Sequence, residues 1–155
     1  MSESADQVIR LLSLSPHPEG GYYVETHRDT PGAGGRGCGT AIYFLLRANQ
    51  RSHWHRLDAV EIFHFYAGQP LEIRTWLPGA AIERVVLGPH VARGQKPQVI
   101  IPKGVWQTAR PLSTDPSALD YSLVGCTVTP AFEFSGFELA APNWEPTVES
   151  AKSNQ

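Results

Sequence analysis

Little in this sequence points to a membrane, a polyanion or an oxidising compartment. No run approaches the roughly 18 consecutive apolar residues of a spanning helix. The N-terminal MSESADQVIRLL carries acidic residues where a secretory leader carries Lys or Arg. A formal charge of only −2 gives no basic field to hold nucleic acid or an anionic lipid surface. The two cysteines, Cys38 and Cys126, stand far apart, which in a reducing compartment implies free thiols rather than a bridge. A cytoplasmic location follows as the expectation, with no nucleic-acid and no membrane partner. Internal repeats, low-complexity tracts and linkers are lacking too. The 155 residues are therefore expected to form a single domain over 1–155, with its core at about 8–140 and a polar, fraying tail at 141–155.

What the chain has in quantity is turn formers, 14 Gly and 13 Pro, which leave little room for long helices. One short amphipathic helix is predicted over Asp6–Leu14, with apolar positions 8, 11 and 12 and Asp6 or Ser4 as its N-cap. SPHPEGG at 15–21 stops it. Tyr22–Arg28 is β-prone, and the Gly-rich segment 29–39 is a flexible loop without the GKS/T ending of a phosphate loop. Strand patterns follow at 40–46, 60–66, 70–77, 81–88, 98–102, 103–110, 121–130 and 132–140. Short strands at intervals of about ten residues predict an all-β sandwich or barrel.

The stretch that carries chemistry is SHWHRLDAVEIFHFYAG, residues 52–68. In a regular strand His53 and His55 share a face, and Glu61 has the same parity. If a hairpin or bulge folds the strand back, two imidazoles and a carboxylate converge, a set suited to a divalent transition metal. The competing reading is a half-exposed strand with solvated polar residues. The parity that takes Glu61 inward takes Phe63 and Phe65 with it as an apolar wall. That wall would raise the carboxyl pKa, unless an ionised Glu61 instead favours an imidazolium beside it. Either way a pair titrates near neutral pH, as acid–base chemistry requires. Tyr43, Tyr66 and Tyr121 are candidates for a second proton donor. His64 falls on the opposite face, Cys126 reads as a small buried hydrophobe, and Trp106 reads as packing or as a ligand-stacking ring. Arg47, Arg51 and Arg56 form a local basic cluster, either solvated or able to attract an anionic substrate.

Several motifs in order resemble the cupin superfamily. His53, His55, Glu61 and Gly68 follow its first motif with one extra residue between His55 and Glu61. Pro102-Lys103-Gly104-Val105-Trp106 follows its second, with Gln107 where a third metal-binding His would stand. More closely, residues 11–139 resemble a small-cupin family of unknown function, through PHPEGG (16–21), AIYFLL (41–46), EIFHFYAG (61–68), QVIIPKGVWQ (98–107) and LVGCTVTPAFEF (123–134). The resemblance implies a cupin jelly-roll β-barrel with a short N-terminal helix, a homodimer, a likeness to dTDP-sugar epimerases, and no agreed reaction. Two departures stand out: Val60 replaces an acidic residue, removing a polar pocket group, and Ala131 replaces a Gly after Pro130.

The resulting expectation is a small-molecule pocket inside the barrel. One reading is isomerase-, epimerase- or lyase-like acid–base chemistry on a small carbonyl or anionic sugar-type ligand. His55, Glu61, Tyr43 and Tyr66 would be catalytic, with Gln107, Phe63, Phe65, Trp106 and Glu19 binding the ligand. A second is a metal-dependent, oxygenase-like enzyme holding iron, zinc, nickel or manganese through His53, His55, Glu61 and Gln107. A third is a non-catalytic metabolite-binding module.

Overall fold

The Ser4 hydroxyl accepts from the Gln7 amide at 3.3 Å while Gln7 Oε1 accepts from the Ser4 amide at 2.8 Å. This reciprocal capping box starts the first element, α1, Ala5–Leu11. The computed structural model describes residues 3–112 and 119–147. Beyond α1 the regular structure of the described residues is strands, apart from two 3-10 turns: β1 Ser15–Pro16, β2 Tyr22–Arg28, β3 Thr40–Arg47, β4 Ser52–Leu57, β5 Val60–Gly68, β6 Leu71–Trp76, β7 Glu83–Leu87, β8 Gln98–Ile101, β9 Trp106–Pro111, β10 Tyr121–Thr129 and β11 Phe137–Leu139.

These strands form two sheets. One has the order β1-β2-β3-β10-β5-β8 and the other β11-β4-β9-β6-β7. Neighbouring strands pair antiparallel throughout. Sequence neighbours such as β4 and β5 lie in different sheets, so the chain crosses between layers as a jelly-roll does. The core fills the space between the sheets with Phe44, Leu46, Phe63, Leu71, Ile73 and Val124, among others. A second cluster lies outside the six-stranded sheet, where Ala5 and Val8 of α1 cover Leu45 and Tyr121. Apolar cover on both faces explains why AIYFLL runs without alternation.

Three segments differ from expectation. The strand predicted over 132–140 is a 3-10 turn at Phe134–Gly136 followed by the short β11. The turn is held against Asp58, whose amide donates to the Gly136 carbonyl at 3.0 Å, and a Cβ on Gly136 would meet the Asp58 carboxylate at 2.3 Å. The Gly-rich segment 29–39 has no regular structure but is pinned. Arg36 forks onto Asp58 at 2.7 and 2.9 Å and donates to the Ala131 carbonyl at 2.7 Å. Ala131 itself is buried and donates its amide to Gly37. The tail, expected to fray, is docked over its described part. Trp144 packs against Trp106, Trp76 and Trp54 with centroids 4.8, 5.7 and 6.1 Å away, and Glu145 accepts from the Trp54 indole at 2.8 Å. The rest of that tail lies outside the described residues.

Candidate functional site

The site begins in the turn between β1 and β2. His17 and Gly21 close it by a backbone bond of 2.9 Å, and Gly20 and Gly21 both take positive φ, 110° and 76°. Gly20 is required twice over, because a Cβ there would strike the Arg51 carbonyl oxygen at 2.3 Å. This close approach lets the Glu19 carbonyl accept from the His53 amide at 2.7 Å, locking the turn onto β4. The Glu19 side chain, 10% exposed, then points inward between the sheets.

β4 carries a register shift between Ser52 and His55: Ser52 pairs with Ala109 and His55 with Gln107. An extra residue in a strand reverses the parity beyond it, so Ser52 and His55 both face inward although they are three apart. Ser52 Oγ donates to Glu19 Oε1 at 3.0 Å. His55 Nδ1–H donates to the His53 carbonyl at 2.7 Å, which fixes the tautomer and leaves Nε2 facing Glu19 Oε2 at 3.2 Å. From the opposite sheet β5 brings in Glu61, which accepts from Gln107 Nε2 at 2.6 Å and shares the cavity with the Cys126 thiol.

These groups share one cavity with about 30 Å³ free to a water-sized particle, room for roughly two waters. Its walls include His17, Tyr23, Ile42, Leu57, Val128 and Phe132, with Thr40 as a further polar group. Burial dominates the electrostatics. It pushes Glu19 up to about 8, against a smaller opposing effect of the Ser52 hydroxyl. It pushes Glu61 up to about 7, where His55 opposes the rise and Glu19 adds to it. Burial holds His55 below its ordinary value although Glu61 pulls the other way. His17 falls to about 4 for the same reason, with His55 adding to the fall, so it is neutral, and its Nδ1 accepts from the Glu19 amide at 3.2 Å. The 3.6 Å approach of that nitrogen to Glu19 Oε2 is therefore a contact and not an ion pair. The Cys126 thiol is held well above its usual range by burial and by the two carboxyls.

The cavity gathers only part of the expected set. His55, Glu61 and Glu19 line it, and Gln107 stands behind Glu61. His53 does not: the bulge turns it outward, where its Nε2 meets the Ala141 carbonyl at 2.9 Å. Tyr43 and Tyr66 contact each other on the outer face of the six-stranded sheet, and Tyr121 is buried there beneath α1. The tyrosine at the cavity is Tyr23, whose neighbour Tyr22 faces out. Phe63 and Phe65 do point inward but pack into the core away from the cavity. Trp106 lies outside the five-stranded sheet, stacked on Trp144 and capped by the Arg56 guanidinium at 4.8 Å. Val60 is exposed, so an acid at that position would face solvent and not the pocket. Nor do the three arginines pool: Arg47 pairs with Asp6, Arg51 with Glu145 and Arg56 with Glu138.

The metal set predicted from sequence does not fit this arrangement. His53 faces away, and Gln107 presents its amide N–H to Glu61 rather than an oxygen to the cavity. Among the described residues, no three His, Cys, Asp or Glu side chains are arranged to hold an ion. A larger groove, about 540 Å³, opens between β7 and β8, but no histidine, cysteine or tyrosine lines it. The small cavity is thus where the chemistry is concentrated. No helix among the described residues is long and apolar enough to cross a membrane.

No curated protein matches the chain. Solved structures do. A hypothetical protein from Leishmania major is 34% identical with a TM-score of 0.79, over 88% of this chain and 86% of that one. A protein from Shewanella oneidensis is 38% identical with a TM-score of 0.82, over 90% and 86%. Oxalate decarboxylase from Bacillus subtilis is a distant likeness of fold alone, 10% identical with a TM-score of 0.55, over 80% of this chain and 29% of that one. The family model described as Cupin superfamily (DUF985) matches residues 6–140, a span that holds the Glu19 turn, the bulged β4 and the Glu61 strand, and the chain belongs to that family.

Proposed function

We propose that the cavity performs acid–base chemistry of an isomerase, epimerase or lyase type on the reacting end of a small carbonyl or sugar-type compound, the only part that its volume admits. The observation that carries this reading is the meeting of His55 Nε2 with Glu19 at 3.2 Å in a cavity that also holds Glu61. His55, with Nδ1 tied to a carbonyl, offers its Nε2 lone pair as the base that takes a proton from carbon. Glu19, which keeps its proton to about 8, supplies the acid that returns one to a carbonyl or leaving oxygen, and Glu61, shared between its two forms at about 7, can pass a proton either way. Gln107 and Ser52 hold the two carboxyls in place, and Tyr23 lines the same cavity.

The test is proton exchange in D2O. A panel of small aldehydes, ketones and sugars is followed by NMR for loss of C–H signal. The wild type is expected to exchange at least one compound, and His55→Ala to slow that exchange by about 100-fold or more. Tight binding of a panel member with no exchange would favour the binding-module reading. A divalent ion bound through His55 is the competing reading carried over from the sequence, although no three-residue donor set is arranged for it among the described residues. Stoichiometric metal in chelator-free protein that disappears in His55→Ala would establish it. We also propose a homodimer covering the exposed sheet edges at β7 and β8, to be checked by sedimentation velocity.

A further inference from the structure

We propose that the ligand of this cavity presents a small ammonium head group, a protonated primary amine, to Glu19 and Glu61. The inference rests on the cavity being the functional site, and it replaces the anionic ligand expected from the sequence. The cavity lining has two carboxyl side chains and neither a Lys nor an Arg. The partners the two carboxyls do have are a hydroxyl, an amide and a buried imidazole.

The same chain shows how it treats a buried carboxylate whose role is structural. Glu72, with its side chain 3% exposed on the outer face of β6, is met by the guanidinium groups of Arg74, Arg84 and Arg110. A buried carboxylate needs a cation or several strong donors to repay its lost hydration. Glu72 is given three cations and stays ionised, whereas the cavity pair is given none and holds protons instead while no cation is bound. An incoming ammonium would supply the charge that lets those carboxyls release a proton and ionise.

The remaining chemistry matches an amine head. An ammonium carries three N–H donors and no acceptor, and the cavity offers acceptors on Glu19, Glu61 and the Thr40 hydroxyl. The rings of Tyr23 and Phe132 complete the wall around these acceptors. Room for about two waters is room for a CH2–NH3+ terminus and not for a phosphate with its oxygens. The arginines that could hold an anion are engaged on the outer surface, by Asp6, Glu145 and Glu138.

The experiment compares three small probes of similar size and different charge, ethylammonium, ethanol and acetate, by ligand-observed NMR titration. Ethylammonium is expected to bind at least tenfold more tightly than either of the others. Glu19→Gln and Glu61→Gln should each weaken it by about tenfold, while Glu138→Gln on the surface leaves it unchanged. Either cavity variant suffices if the other fails to fold. The proposal is overturned if acetate or ethanol binds as well as ethylammonium, or if none of the three binds. It is overturned equally if Zn2+ binds one-to-one and excludes ethylammonium, or if the folded cavity variants leave the amine's affinity intact. Its failure is separable from failure of the acid–base reading. C–H exchange on neutral sugars without amine binding sinks only the inference, and amine binding without any exchange sinks only the catalytic reading.

Discussion

Replacing Glu19 with Gln should change how the stability of the fold depends on pH. Glu19 holds its proton up to about pH 8, against an ordinary value of 4.5. Between those values the native state keeps a proton that the unfolded chain has lost. Unfolding then releases that proton, so the stabilisation it represents is complete below pH 4.5 and falls away as pH rises toward 8. At about 1.4 kcal/mol per pH unit, the window amounts to roughly 5 kcal/mol. That is a large share of the 5–15 kcal/mol of a typical domain, and at about 2–4 °C per kcal/mol it corresponds to some 10–20 °C in Tm. Glutamine keeps the shape and cannot ionise, so the variant lacks this slope. The assay is urea unfolding of both proteins at half-unit steps from pH 4.5 to 9. The wild type should lose stability relative to Glu19→Gln as pH rises. His55, held neutral by burial, acts in the opposite direction, costing stability as pH falls below its ordinary 6.5, and Glu61, raised in part by Glu19, titrates in the same window. Both sit against Glu19, so the difference reports the loss of Glu19 together with the response of these two neighbours. A difference that stays constant to within about 1 kcal/mol across the window would refute the argument that Glu19 is buried without a charged partner.

Other residues give sharper local tests. Gly20→Ala forces an L side chain into φ 110° against the Arg51 carbonyl; it should cost about 2–3 kcal/mol by urea unfolding, and a change near zero would mean the turn can move off β4. Trp144→Ala removes a half-buried indole from three others; the loss of about 2 kcal/mol should lower Tm by roughly 4–8 °C, and an unchanged melt would mean the tail is not held there. Of the two thiols, Cys38 is exposed and Cys126 buried. A disulfide reagent should therefore titrate one thiol rapidly in the native protein and the second only on unfolding, whereas two fast thiols would show that the cavity opens freely.

The fold was legible because alternation and turn residues are local signals. Phe44, Leu46, Phe63 and Val124 lie inside as the strand pattern requires, and Glu61 follows Phe63 inward by the same rule. The helix cap was legible in Ser4 and Gln7, three residues apart. What failed was parity across β4, where one extra residue sends His53 out and brings Ser52 in. Nothing in SHWH marks a bulge, since a bulge is set by the partner strand. The tyrosines failed for a related reason: Tyr23 and Tyr43 are equally plausible until the pairing of β2 with β3 decides which face each occupies. Glu19 was visible only as one of several ligand-binding candidates, within PHPEGG. Its central place depends on Gly20 letting two backbones touch, a contact between segments more than thirty residues apart. Distances of that kind are not written in any single stretch of sequence.

All four of the protein's tryptophans stand in one cluster on the far side of the five-stranded sheet from the cavity. Intrinsic fluorescence excited at the red edge is therefore a gauge of that outer surface and of the tail's attachment to it. A titration of the cavity followed by tryptophan emission would give a flat trace even at full occupancy. Optical readouts of binding need a tyrosine at the cavity, such as Tyr23, or a tryptophan placed there by design at Phe132.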